Sequence, residues 1–398
     1  MNRYFEYVYS SYLRHKNKRV REFKEREKEH AAILLVCRHP LGDTVLELPL
    51  IRELRYTYPS HWITVICAPS NRELFIHCPY INEVIVYDDR SKKHYFKTNY
   101  KYCQNFAKSE LAKHYYELGI VPATYMASIV DAWLIYLSGA NRRLSYSEKL
   151  NPANHHEYMG VYDNFFTDIL SCNGMDHEVN RNLEFISYLG GKIHNNKLEI
   201  WTSKDDNQAV KDLFLKENID LNKLRIIVNL STSTLSKDWP TERYIAVVNL
   251  LRKNFDLEYI LIGAGDTAEC YAKQFLKAVP EAHNFVNQTT ILQTAEIIHH
   301  SNIYIGGDTG PAHFAAAYKL NGVVIYKVAK DIQNDMENFA KRLYPWQSPL
   351  KIIQPDHALH GCERGCLENV QHCILQIDIQ TVYDVIYPII EKQVRGRS

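Results

Sequence analysis

At 398 residues and 46.5 kDa the chain exceeds the roughly 150-residue domain size, so two domains are expected. Apolar residues at 46% and charged residues at 23% exclude a disordered chain, and no stretch reaches the roughly 18 unbroken apolar residues of a spanning helix. Lysine and arginine total 47 against 46 acids, which gives no support to a nucleic-acid partner. The first residues lack the apolar core of a secretory signal, and nine scattered cysteines suit a reducing cytoplasmic compartment rather than a disulfide scaffold.

Residues 1–30 stand apart, with nine Lys/Arg against five Glu and with Tyr4, Phe5, Tyr7, Tyr9 and Tyr12 ahead of the basic block. Such a segment reads either as peripheral contact with an anionic membrane or as a solvated helix, because Glu22, Glu25, Glu27 and Glu29 interleave with the bases. From residue 31 short β runs alternate with helical stretches, which predicts α/β architecture with parallel sheets. AAILLVC (31–37) reads as a buried strand, RHPLGD as a turn, and the residues from Val45 to Leu54 as a helix. WITVICA and EVIVYD are further strands, residues 89–118 are polar and basic, and IVDAWLIYL (129–137) is helical. Residues 147–157 read as loop and 160–171 as helix. The alternation restarts with the strand LRIIVNL (224–230), the helix TERYIAVVNLLRKN, the strand EYILIGAGD and the helix TTILQTAEIIHHS. It ends with NIYIGGDTGP, AHFAAAYKL and NGVVIYK. Two βαβ sets joined near 202–223 predict two Rossmann-like domains facing across a cleft.

Three turns could carry chemistry, each where a strand hands over to a helix, the ligand-binding end of an open α/β sheet. In Arg38-His39-Pro40-Leu41-Gly42-Asp43, Asp43 either presents a carboxylate or caps the following helix. In Ser231-Thr232-Ser233-Thr234-Leu235-Ser236-Lys237-Asp238-Trp239-Pro240, hydroxyls, backbone N–H groups and one lysine suit a phosphate, although an ordinary Ser/Thr-rich turn has the same composition. In Gly306-Gly307-Asp308-Thr309-Gly310-Pro311-Ala312-His313, glycines run into a small-residue helix whose positive end would face an anion. None is a GxGxxG or P-loop motif, so dehydrogenase and NTPase readings lose support.

Together, R-x3-GD, then K-x-WP, then GGDTGPAHFAAA resemble the ADP-heptose:lipopolysaccharide heptosyltransferase family, glycosyltransferase family nine. The resemblance spans roughly residues 31–330, with lesser marks in PLIRELRYTYP, GANRRLSY and TTILQTAEIIHHSNIYIGGDTGP. It implies a GT-B fold with an acceptor-binding domain (31–202), a nucleotide-sugar-binding domain (203–375) and a C-terminal helix (376–398) after the extension 1–30. It implies an inverting transferase of lipopolysaccharide biosynthesis that moves heptose from ADP-heptose to a lipopolysaccharide or lipooligosaccharide core acceptor. The expected place is the cytoplasmic face of the inner membrane. Alternatives are a GT-B transferase using another nucleotide sugar or a protein acceptor, and a catalytically silent nucleotide-sugar-binding scaffold.

By position, Asp43 matches the family's proposed base, which outweighs the cap reading. Thr232, Ser233 and Lys237 match its first set of nucleotide contacts, and Asp308, Thr309, Gly310, Pro311 and His313 its second. Asp266, in Gly263-Ala264-Gly265-Asp266, falls where the family often contacts ribose, with a helix cap as the other reading. Arg90, Lys92 and Lys93, with Lys97 and Lys101, match the basic region facing an anionic glycan or glycolipid acceptor, or are a solvated loop. The resemblance implies no cofactor for catalysis. Cys362, Cys366 and Cys373, with His357, His360 and His372 nearby, have the composition of a structural zinc or iron site, although paired CxxC spacing is missing and reduced thiols packing a loop are the alternative.

Overall fold

The computed structural model describes residues 31–88, 96–122, 128–150, 161–171, 177–332, 339–363 and 369–396. The extension 1–30, the acceptor candidates Arg90, Lys92 and Lys93, and Cys366 lie outside them.

Two six-stranded parallel sheets form. The first contains β1 (Ala31–Cys37), β2 (Trp62–Cys67), β3 (Glu83–Val86), β4 (Tyr115–Val121), β5 (Arg142–Tyr146) and β6 (Asp168–Leu170), in the order β3-β2-β1-β4-β5-β6. The second contains β7 (Leu224–Asn229), β8 (Leu257–Ile262), β9 (His283–Asn284), β10 (Ile303–Gly307), β11 (Asn321–Ile325) and β12 (Lys351–Ile353), in the order β12-β11-β10-β7-β8-β9. Read from β9, the second order repeats the first, and each is the doubly wound Rossmann arrangement. The central strands are apolar runs because helices cover both faces of such a sheet; in β1 every residue after Ala31 is buried, and in β10 all five are.

By contacts the chain divides into two compact units. Of the described residues, one holds those from 31–38, 58–69 and 80–171, and the other those from 39–57, 70–79 and 177–396. The core of the first gathers Leu34, Val36, Tyr100, Trp133, Ile135 and Phe165. That of the second gathers Val228, Trp239, Val248, Phe275, Ile305 and Val323. The helix Ile379–Arg395 closes the second core with Val382, Ile386 and Ile390, a stripe at four-residue spacing. Its N-terminus is capped by Asp378, whose Oδ1 accepts from the Thr381 amide at 2.7 Å.

The helix Leu41–Thr57 groups with the second unit through a buried charge network. Arg52, 1% exposed, donates to Glu53 Oε1 at 3.0 Å, Glu199 Oε1 at 2.7 Å, and the carbonyls of Lys197 and Asn195 at 3.0 and 2.7 Å. Glu53 in turn accepts from the His194 amide at 2.8 Å. An arginine so deeply placed must spend its donors within the fold, and these contacts fasten the helix to the segment 194–199.

One expected element differs. Residues 160–171 do not form a helix; among those described, Tyr162–Phe165 is a 3-10 turn and β6 follows. Tyr162, Phe165 and Phe166 sink into the first core, and the Thr167 amide donates to the Arg143 carbonyl at 2.9 Å, so aromatic burial and the sheet ladder override local helix. The helices Glu178–Tyr188 and Lys204–Lys216 and the three-residue β12 were not marked by periodicity.

Replacing Arg52 by leucine takes the guanidinium from buried Glu53, leaving that carboxylate only its bonds from 194–195, and should cost about 3–5 kcal/mol, read as the denaturation midpoint of the second unit. Arg142→Ala, which breaks the exposed 2.9 Å pair with Asp168, should cost less than about 1 kcal/mol.

Candidate functional site

In the second sheet the chain leaves β7 toward β8 and leaves β10 toward β11, in opposite directions. The carboxyl ends of β7 and β10 are therefore the topological switch point, where such sheets bind ligands. Both suspect loops emerge there. After β7 the segment 231–240 turns through Leu235–Lys237 and is drawn in by Asp238, whose Oδ1 accepts from the Thr232 amide at 2.7 Å. After β10, Gly307 lets that loop pass: a Cβ on it would lie 2.7 Å from Thr232 Cγ2. The loops are joined by Lys237 Nζ, 2.9 Å from Asp308 Oδ2. Thr309 is the N-cap of the helix Gly310–Ala317, with Pro311 in its first turn and His313 buried beneath. One cation and a helix N-terminus thus stand together at the strand ends, a setting suited to a diphosphate.

The first turn meets the third. A Cβ on Gly42 would lie 2.9 Å from His313 Cδ2 and 3.2 Å from Nε2, and one on Gly310 would lie 2.6 Å from Leu41 Cδ2. Both positions admit only glycine without displacement, and the two helix starts touch through them. Asp43 is the third residue of its helix, so it lies inside the first turn. It is half-buried, and desolvation pushes its carboxyl up to about 6; the His39 imidazole opposes this, while Glu178, Glu47 and Asp308 add to it.

The surroundings of Asp43 are held by paired groups. His39 Nδ1 lies 2.5 Å from Glu47 Oε1, both residues buried, and Glu47 stands one helical turn beyond Asp43. The His39 carbonyl accepts from Thr44 Oγ1 at 3.1 Å and Asn71 Nδ2 at 2.6 Å. Buried Glu178 is bound by Arg342, whose Nε donates to Oε1 at 3.0 Å, with Arg181 at 3.6 Å. Burial lowers the His313 imidazole to about 4, so it is neutral near pH 7, and its Nδ1 is buried without a hydrogen-bond partner among the described residues. A half-buried carboxylate with a proton affinity near neutrality is equipped for general-base work.

Asp43, Thr232, Lys237, Asp308, Thr309, Gly310, Pro311 and His313 therefore fall within one compact unit, around two adjoining loops and the helix start beside them. Ser233 is exposed on the same loop. Asp266 is exposed as the first residue of the helix Asp266–Ala278, whose N-cap is Gly265 at φ 91°, so the cap reading of Asp266 is overturned. Cys362 and Cys373 are buried and come together with His372 elsewhere in the unit. Lys327 was missed. It follows β11 and donates from Nζ to Ser236 Oγ at 2.9 Å, and a lysine just past a strand of an open sheet was the available signal. Glu47 was readable too, four residues after Asp43 on one helix face.

The chain matches the model of glycosyltransferase family 9 (heptosyltransferase) over residues 108–349. It is similar to lipopolysaccharide heptosyltransferase 3 of Escherichia coli, 20% identical over 283 residues that cover 69% of this chain and 77% of that protein. Among solved structures, a family 9 glycosyl transferase from Veillonella parvula superposes with a TM-score of 0.72 at 15% identity, covering 92% of this chain and 99% of that one. The E. coli ADP-heptose lps heptosyltransferase II does so with a TM-score of 0.65 at 15% identity, covering 91% and 99%. These likenesses show the GT-B fold, and with the match across more than half its length the chain belongs to glycosyltransferase family 9, the heptosyltransferases.

Proposed function

We propose that the protein is an inverting heptosyltransferase of lipopolysaccharide core assembly, taking heptose from ADP-heptose to a sugar hydroxyl of the core. The observation that carries this reading is Asp43, a carboxylate raised to about 6, set in the same unit as the Lys237–Asp308 pair and against the start of the Gly310 helix. The acceptor oxygen attacks the anomeric carbon as its proton passes to Asp43. The bond from that carbon to the β-phosphate oxygen breaks, and its electron pair leaves with ADP. Lys237 and the N-terminus of the helix Gly310–Ala317 neutralise the charge gathering on the diphosphate, which is electrostatic stabilisation of the transition state. Thr232, Ser233, Thr309, Gly310 and Pro311 frame the same anion, Asp308 positions Lys237, and His313 packs beneath the two helix starts. Asp266 is available to ribose hydroxyls.

Donor binding is assigned to residues 203–375 and acceptor binding to 31–202, with Arg90, Lys92 and Lys93 meeting phosphate or carboxylate groups of the glycan. The transfer step needs no metal. Cys362, His372 and Cys373 are assigned to a structural zinc or iron ion, since two thiols and an imidazole are the donor set these metals favour. The working place is the cytoplasmic face of the inner membrane, with residues 1–30 against the lipid surface; among the described residues no helix is long and apolar enough to cross it.

The direct test incubates the purified chain with ADP-heptose and truncated core oligosaccharide and reads the gain of one heptosyl unit by mass spectrometry. UDP- and GDP-sugars serve as competing donors, and transfer from one of these alone would refute the donor assignment. Asp43→Asn should lower kcat by about 10²–10⁴-fold and leave ADP affinity nearly unchanged, and full turnover would end the base assignment. Lys237→Ala should weaken ADP binding and lower kcat/KM by about a hundredfold, and wild-type kinetics would exclude its phosphate role. The pH profile has a definite sign. The base works as the carboxylate and its proton is held up to about 6, so kcat/KM should be level above that pH and fall about tenfold per unit below it. An acid limb centred near the ordinary aspartate value would contradict the assignment.

A further inference from the structure

The cysteine-rich tail is far in sequence from the loop 231–240 and touches it in space. Gln371 Nε2 donates to the Asp238 carbonyl at 2.9 Å, and the buried indole of Trp239 donates to the Ile377 carbonyl at 2.9 Å. Arg243, on the helix after the loop, donates from NH1 to the carbonyls of Leu375 and Ile377 at 2.8 and 2.5 Å. Asp238 is thus held from two sides. Its carbonyl accepts from the tail, and its carboxylate accepts from Thr232 N at 2.7 Å and Tyr271 OH at 3.3 Å. Asp238 is the residue after Lys237, and Thr232 opens the same loop.

The tail residues that make these contacts flank the two ligand candidates. Gln371 immediately precedes His372, and Cys373 opens the 3-10 turn Cys373–Gln376 that presents the Leu375 carbonyl. Cys362 Sγ lies 3.3 Å and Cys373 Sγ 3.6 Å from His372 Nδ1, and all three donor atoms fall within 4.8 Å of one another. A tetrahedral ion with sulfur and nitrogen bonds near 2.3 and 2.0 Å separates its S and N ligands by about 3.5 Å, so the donors already stand at ligand spacing. Both cysteines are buried, as a closed structural site requires.

We propose that a thiolate-favouring divalent metal, zinc or ferrous iron, held by Cys362, His372 and Cys373 braces the donor loop, so that nucleotide affinity depends on an ion that never touches the nucleotide. The ion fixes residues 372–373, these fix Gln371 and the turn after it, and Gln371 and the end of that turn hold Asp238 and Trp239, the two residues that follow Lys237. The proposal rests on the reading of residues 231–240 as the donor loop. It adds to that reading a metal-dependent affinity.

The experiment uses the full chain purified without a metal-binding tag. Zinc and iron are counted by plasma mass spectrometry, and ADP binding is measured by calorimetry before and after removal of the ion with phenanthroline and reductant. About one equivalent of zinc or iron is expected. Its removal should weaken ADP binding about tenfold with the far-UV circular dichroism unchanged, and re-addition should restore it. Cys362→Ser should lose the ion and show the same weakening. Gln371→Ala, which keeps all three ligands, should retain the ion and still weaken ADP binding about fivefold. A chain that carries no zinc or iron and takes up neither overturns the site. An ion whose removal leaves ADP affinity unchanged, or a Gln371→Ala chain with wild-type affinity, overturns the brace. Failure of the metal-loaded chain to bind ADP overturns the donor-loop reading and the brace with it, whereas the metal count reports separately on the site.

Discussion

The constraint on which the site depends is the absence of two Cβ atoms. Gly42 gives its space to the His313 ring and Gly310 gives its space to the Leu41 side chain, so two helices begin in contact. No side chain could occupy either position without moving a helix start. The contact sets where Asp43 stands relative to the loop that carries Asp308 and Lys237, and it leaves His313 sealed and neutral beneath the junction. Ala312, Ala315 and Ala316 continue the close approach, their short side chains buried beside those of His313 and Phe314.

Charge around this junction is arranged to be costly and then partly relieved. Asp43 meets three other carboxylates, which with desolvation oppose its ionisation, and one imidazole that favours it. Each neighbour has its own partner: Glu47 has His39, Glu178 has Arg342, and Asp308 has Lys237. The three acids are thus each tied to a basic partner, and half-buried Asp43 carries the raised proton affinity. A site of this kind selects the carboxylate whose proton is exchangeable by leaving it the least compensated.

How far this could be read from sequence follows from the kind of constraint. The three turns were legible because glycine, a capping residue and a strand end are local signals, and each kept its place at a strand-to-helix junction. The alternation that predicts doubly wound sheets was legible for the same reason. The fate of the helix Leu41–Thr57 was not, because RELRYT reads as an ordinary polar helix end and only its bonds to Glu199, Lys197 and Asn195 show that Arg52 is inside. β6, three residues long, was hidden behind Tyr162, Phe165 and Phe166, aromatics that suit helix and strand alike, and β12 is too short for any period to show. His39 became visible as a partner of Glu47 only once the helix start at Leu41 was known.

The tail shows the same limit from the opposite side. Its cysteines were conspicuous in sequence but seemed remote from the loops, because more than a hundred positions separate Asp238 from Gln371. Backbone carbonyls close that gap, and a carbonyl leaves no trace in the residue alphabet: the acceptors at Asp238, Leu375 and Ile377 would be the same with other side chains. What the residues do reveal is the donors, an amide at 371, an indole at 239 and a guanidinium at 243, each an awkward group to leave without an acceptor in a packed region. Three donors that must find acceptors, one reaching from the tail to the loop and two from the loop and its following helix to the tail, make that loop's conformation a property of the tail as well as of its own turn, and distance along the chain ceases to be a reason to treat the two as separate.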